Sequence, residues 1–255
     1  MRIFARGRYT VRFSRDAVDI EAAQRFRHAA FIGGRDGAAL TGDRAEGLDR
    51  DAFDTLCTHV LIEDARTGTL VCCFRMLPLE SGAQIGMSYS AQYYELSALE
   101  SFDAPMVEMG RFCIAPDCKD PDVIRVAWGA MTSFVEERGV ELLFGCSSFE
   151  GVDADDYADA FAYLKERHLA PKRWLPRVKA PRVVRFAQRL RLRRPDVKLA
   201  MKRMPPLLRS YLILGGWVSD HAVIDNDLNT LHVFTGVEIG RVPPARKRLL
   251  RMAAG

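Results

Sequence analysis

The chain predicts an α/β fold, a central mixed β-sheet with helices on its faces. Three observations predict it. Apolar or alternating stretches that read as strands take turns with stretches of helical spacing along residues 8–169. The 255 residues give ample length for a core. The composition, 48% hydrophobic and 27% charged, is that of a soluble globular chain.

In order, "RYTVRFS" (8–14) alternates as a strand does. "DAVDIEAAQRFRHAAF" (16–31) has helical spacing, with Ser14 or Asp16 as cap. "IGGRDGAALTGDRAEG" (32–47) is glycine-rich and predicts a mobile loop. Residues 59–77 read as a hairpin turning at 66–69, and 90–99 as a short helix. "PMVEMGRFCI" (105–114) reads as a buried strand. The helix at 120–139 has Pro121 in its first turn and Gly139 at its end. A second buried strand at 140–149 precedes an acid-started helix at 153–169. "HAVIDND" and "LHVFTGVEI" close the sheet. Residues 180–196 are the nearest thing to a linker. The composition divides the chain into a core over 1–170 and a basic region over 171–255, integrated into one domain.

No apolar run follows Met1, and no stretch reaches the roughly 20 apolar residues that span a bilayer. A cytoplasmic protein is expected. The six cysteines lack zinc or C-x-x-C spacing and read as small buried hydrophobes, with no disulfide and no metal expected. The charge is uneven. Residues 171–194 hold ten Lys/Arg and no acid, which leaves 27 basic against 33 acidic residues elsewhere. Such a block, with Trp174 and Phe186 interleaved, suits an anionic partner: lipid, nucleic acid or an acidic protein. The alternative is a solvated basic face.

The strand at 105–114 carries Glu108 and Arg111 in apolar surroundings, where charges are costly unless paired or used. Alternation would send them to opposite faces. Gly110 between them predicts a bulge, which would shift the alternation and turn both toward one cleft. A bulge also leaves backbone groups for an amide-bearing acyl carrier or a thioester oxygen.

The order of elements, with a bulge in the fourth strand, resembles the GNAT acyltransferase superfamily. Within it, "EMGRF" is similar to the E-x-x-R-F signature of acyl-homoserine lactone synthases. Arg27 and Phe31 in "RHAAF", Asp51 and Asp54 in "DAFD", and Arg75 in "CCFRML" match the same pattern. Across nearly the full length, "SSFEGVDADDYADAFAYLKERHLAP" and "PPLLRSYLILGGWVSDHAVIDNDLNT" resemble the ornithine lipid N-acyltransferases. The resemblance implies a GNAT-like sheet with a basic C-terminal extension. It implies transfer of a 3-hydroxyacyl chain from acyl carrier protein to the α-amine of ornithine, or glutamine in a close branch. One departure matters. Where the superfamily has a glycine loop for the coenzyme A pyrophosphate, this chain has "APDCKDPDVIR", whose Asp117, Asp120 and Asp122 repel phosphate. Carrier protein fits better as donor, and no tightly bound cofactor is expected.

In that chemistry Glu108 is the base, its apolar setting favouring uptake of a proton. Arg111 and Arg75 grip a carboxylate, and Arg27 does so or binds the carrier's phosphate. Asp51 and Asp54 attract a cationic side chain. A backbone N–H near Arg111 or Phe112 holds the oxyanion. Ser147 is a weaker candidate where a carrier could pass, and Phe31 is a core residue more than a contact. Lys172, Arg173, Trp174, Arg177, Arg189, Arg191, Arg193 and Arg194 would dock the carrier protein or the anionic inner membrane. Bland alternatives stand beside these: a purely structural Glu108–Arg111 pair, a helix cap at Asp51 and Asp54, a surface Arg75. Two other functions compete: a lactone-forming synthase using S-adenosylmethionine, and a non-enzymatic basic protein at the membrane. Nothing suits sequence-specific nucleic-acid reading.

Overall fold

The computed structural model describes residues 2–31 and 45–254. The chain begins with β1 (Arg2–Arg6), β2 (Tyr9–Ser14), α1 (Ala17–Phe31), β3 (Thr58–Asp64) and β4 (Leu70–Leu79). It continues with β5 (Tyr94–Glu95), β6 (Met106–Ile114), α2 (Asp122–Glu137), β7 (Leu142–Glu150) and α3 (Ala158–Arg167). Then come β8 (Arg177–Val178), β9 (Val183–Val184), α4 (Phe186–Arg189), α5 (Val197–Arg203) and α6 (Pro206–Ile213). The last elements are β10 (Trp217–Val218), β11 (Ala222–Asp225), β12 (Thr230–Glu238) and α7 (Pro244–Ala254). The fold is a mixed, mostly antiparallel sheet flanked by helices. Most of the glycine-rich stretch at 32–47 lies outside the described residues. No described helix is long and apolar enough to cross a membrane.

Contacts gather into two compact units. One comprises Met1–Pro78, Met109–Arg138 and Lys247–Gly255, the other Leu79–Glu108 and Gly139–Arg246. The division does not follow the composition break at 170/171, because a run of surface charge marks exposure rather than packing. It falls instead inside β6, after Glu108.

In the first unit β1, β2, β3 and β4 pair antiparallel in sequence. Tyr9 and Val11 of β2 point inward between more exposed neighbours, as a half-buried strand requires. Helix α2 buries Val123, Val126, Ala127, Ala130, Met131 and Phe134, an apolar stripe at helical spacing. Phe134 stacks on Phe13. Helix α1 differs, since its buried face carries Asp19, Gln24 and Arg27 beside Ala23. A helix that buries an arginine needs partners for it, and these form the site below.

The second unit is built on β7 and β12, antiparallel over nine pairs from Thr230↔Glu150 to Glu238↔Leu142. Strand β11 pairs with β12, and β9 with β11. The core gathers Phe149, Phe161, Phe186, Leu208, Leu231 and Val233. Two expectations are corrected here. Residues 180–196 are no linker: Val183 and Val184 pair with β11, and the Phe186 ring stacks at 5.0 Å on Phe161. Most of that stretch is exposed, Leu192 included, and its arginines mask the few apolar residues that fold it. Residues 90–99 form no α-helix but two 3-10 turns around β5, because Tyr94 pairs with Val178 of β8.

Candidate active site

Strand β6 is buried from Met106 to Met109 and more exposed over Gly110–Phe112. Its parallel ladder with β7 covers Met106↔Leu142, Val107↔Leu143 and Glu108↔Phe144. Glu108 is 4% exposed, and three donors hold its carboxylate. The backbone N–H groups of Tyr89 and Ser90 donate at 2.7 Å each, and the Ser90 hydroxyl donates at 2.6 Å. Ser90 Oγ also lies 3.4 Å from Cys146 Sγ. The apolar pocket expected around Glu108 is therefore a polar nest. Three donors suit an ionised carboxylate and fix the direction of its oxygens.

Arg111, not Gly110, has the left-handed backbone, with φ 54°. A Cβ on Gly110 would meet only Arg75 Nε at 3.7 Å and Cγ at 4.0 Å, ordinary contact. The strained residue is held by its own side chain: Nε lies 3.2 Å from Asp49 Oδ2 and Nη2 donates to Asp51 Oδ2 at 3.3 Å.

Around it, α1, the segment after it, β4 and β6 bring together three arginines and three aspartates. Arg27 Nε donates to Asp49 at 2.8 Å, and Nη2 donates to both oxygens of Asp54 at 2.9 and 3.0 Å. Arg75 grips Asp51 with two prongs, both 2.6 Å, and donates to Asp54 at 2.8 Å. Gln24 Nε2 adds a bond to Asp54 at 2.9 Å. Charges balance within the cluster, which makes its burial tolerable. Burial pushes Asp51 up, but the hydrogen bonds and charge of Arg75, with Arg111, outweigh it and hold the carboxyl below its ordinary value. Burial likewise pushes Asp54 up, and the charges of Arg27 and Arg75 and the Gln24 bond outweigh it. The cluster has an inside and an edge. The Asp54 side chain is 2% exposed, whereas that of Asp51 is 21% exposed beside Arg111. Among the described residues, no three His, Cys, Asp or Glu side chains are arranged to hold a metal ion.

Residues 26–129 match the acetyltransferase (GNAT) domain. An L-ornithine Nα-acyltransferase of Rhodobacter capsulatus is 33% identical to this chain over 88% of each sequence. The chain belongs to the L-ornithine Nα-acyltransferase family. It is an acyltransferase. A relative of the same description from Rhizobium meliloti is 26% identical, over 91% of this chain and 80% of its own. Among solved structures, an N-acyl amino acid synthase from uncultured soil microbes is similar at 11% identity, TM-score 0.49 and 97% coverage of each chain.

The acyltransferase's other expected residues are placed as follows. Phe31 packs on Cys73 and Cys113, a core position. The Phe112 ring stacks on Phe74 at 5.6 Å. Ser147 is not at a strand end but within β7, opposite Val233, buried and accepting from Thr235 Oγ1 at 2.9 Å. The basic block is less bare than its sequence. Arg189 pairs with Asp155, Arg193 with Asp159, and Arg173 with Glu238. Arg177 lies 3.7 Å from Glu95. Trp174 packs edge-on against Phe102, and Lys172 is exposed. Sequence reasoning missed Asp49, Gln24 and Ser90. Asp49 had a visible cue in the spacing Asp49, Asp51, Asp54 against three arginines; a backbone donor such as Ser90 N–H leaves none.

Proposed function

We propose that the acyltransferase moves a 3-hydroxyacyl chain from acyl carrier protein to the α-amine of L-ornithine, giving a lyso-aminolipid, with glutamine as the alternative acceptor. The similarity to the Rhodobacter capsulatus enzyme named for ornithine, over 88% of both chains, carries this reading. The edge of the arginine–aspartate cluster supports it: Arg111 offers a guanidinium group to an amino acid's carboxylate, and Asp51, gripped from within by buried Arg75, offers a partner to a cationic side chain. Asp54 and Arg27 hold those groups in place.

Much of the acceptor's amine is protonated at cellular pH. Glu108 takes a proton from it, directly or through water, and the neutral amine attacks the thioester carbon. The C–N bond forms and the C–S bond breaks. Of the two protons nitrogen loses, one leaves through Glu108 to solvent and the other ends on the departing thiol. The oxyanion accepts from a backbone N–H at Arg111 or Phe112. Positioning supplies most of the rate. A carrier-bound thioester is favoured over coenzyme A by the start of α2. There Asp120 accepts from Tyr9 Oη at 2.6 Å and from the Asp122 backbone N–H, so carboxylates stand where a pyrophosphate would need donors. The basic stretch from Lys172 to Arg194 is the part we assign to docking, of acyl carrier protein or of the anionic inner membrane on its cytoplasmic side.

The test offers purified protein a 3-hydroxyacyl carrier protein with ornithine, glutamine or S-adenosylmethionine in separate tubes, read by mass spectrometry. An N-acyl amino acid is expected, lost by about 10²–10⁴-fold in Glu108→Gln. A lactone from S-adenosylmethionine, or no transfer in any tube, overturns the reading.

A further inference from the structure

The turn between α4 and α5 has more structure than a connection needs. Lys165 Nζ, on α3, donates to the carbonyl oxygens of Leu190, Arg193 and Arg191 at 2.8, 3.0 and 3.3 Å. Nearly two turns of α3 away, Asp159 accepts from the Arg193 guanidinium at 2.8 and 3.3 Å and from the Asp196 backbone N–H at 3.1 Å. Asp196 in turn caps α5 by accepting from the Leu199 N–H. Two side chains of one helix thus clamp the turn from beneath, and buried Phe186 anchors it to the core.

What the clamp presents is Leu192, 85% exposed. A single exposed leucine is ordinary. A leucine held outward by a clamped turn, with further apolar surface beside it in sequence at Val197 (44%) and Leu199 (41%), is not. Arg191 and Arg194 bracket it, both exposed. Among the described residues, no ion pair engages either, whereas Arg189 and Arg193 have theirs. Arg191 and Arg194 thus bring to this tip two of the block's charges that no ion pair among the described residues neutralises.

We propose that the turn carrying Arg191, Leu192 and Arg194 is a membrane-insertion point that docks the enzyme on an anionic bilayer. The inference deepens the docking role proposed above for the basic stretch and rests on that reading. A bilayer interface takes both parts of the tip: the leucine enters the acyl boundary while the guanidinium groups pair with lipid phosphates. An acidic protein or a nucleic acid satisfies the arginines and leaves no need for a protruding leucine. The clamp matters because a turn already ordered loses little conformational freedom on binding.

The experiment is flotation of the full-length protein with vesicles of phosphatidylcholine alone, or of phosphatidylcholine and phosphatidylglycerol in equal parts, at low and high salt. The wild type is expected to float with the anionic vesicles at low salt and to be released by high salt. Leu192→Ser is expected to weaken binding about 10-fold or more. Arg191→Glu with Arg194→Glu is expected to weaken it about 25-fold or more. The charge-matched control, Arg25→Glu with Arg66→Glu, keeps it. Melting temperatures confirm that each variant folds. No flotation of the wild type overturns the proposal, as does wild-type binding by both tip variants. A loss in the arginine variant alone overturns insertion. Intact vesicle binding with a raised KM for the acyl carrier protein assigns the surface to that protein instead. Acyl transfer by the wild type in solution is assayed separately, so its failure strikes the enzyme reading and leaves the vesicle result standing.

Discussion

Asp51 and Asp54 stand three residues apart and meet the same arginine, yet removing their charges has different consequences. Asp54 is enclosed, and it answers Arg27, Arg75 and Gln24 at once. Asp54→Asn leaves buried guanidinium charge uncompensated and is expected to cost about 3–5 kcal/mol in urea unfolding. Asp51 is at the edge, where water reaches its oxygens. Asp51→Asn is expected to cost less than half as much stability and to act on the acceptor, raising its KM about 10-fold, since a charge-assisted contact contributes about 1.5–3 kcal/mol. Equal destabilisation by the two variants, with no change in KM for Asp51→Asn, would make both aspartates structural.

Strand β6 carries both Glu108 and Arg111, and its local geometry departs from a regular strand. The left-handed backbone at Arg111 costs a non-glycine residue roughly 1–2 kcal/mol, and its ion pairs with Asp49 and Asp51 offset it. Arg111→Gly and Arg111→Ala both remove the guanidinium, but only glycine relieves the backbone. The glycine variant is expected to be the more stable by about 1 kcal/mol in chemical denaturation, with both inactive. An alanine variant as stable as the glycine one would mean the strand relaxes to ordinary geometry without its arginine. The same strand shows what was legible in the sequence. Its charged pair in an apolar run was visible, and so were β2, α1, the β3–β4 hairpin, α2 and β7, whose periodicity is local. The left-handed backbone at Arg111 was not, since an isolated glycine signals freedom without locating its use. Nor were β5 and β9, which exist through partners 84 and 38 residues away, Tyr94↔Val178 and Val184↔Ala222. In the site, Arg27, Asp51, Asp54, Arg75 and Arg111 were readable as side-chain types, whereas the nest around Glu108 is made largely of backbone N–H groups, which every residue has.

Over the whole molecule, acid acts in two windows. Burial pushes His232 down to about 4 from 6.5, and lowers His59 and His168 as well. Between pH 6.5 and about 4 the unfolded chain binds protons that the folded histidines refuse. Stability therefore rises with pH across that window and levels above it. For His232 the span of about 2.5 pH units corresponds to about 3 kcal/mol. The carboxylates act lower. Asp51 and Asp54, held below their ordinary value, contribute stability that is present above about pH 4 and lost as pH falls through their folded values. Urea unfolding at a series of pH values should show a gradual decline from pH 6.5 and a steeper one below 4. His232→Phe keeps a ring beside Tyr93 and Tyr94 and cannot titrate. It should flatten the upper window by up to about 1.4 kcal/mol per pH unit and leave the lower one unchanged. A variant whose profile runs parallel to the wild type throughout would show that His232 takes up its proton in the folded state, and that the upper window belongs to His59 and His168.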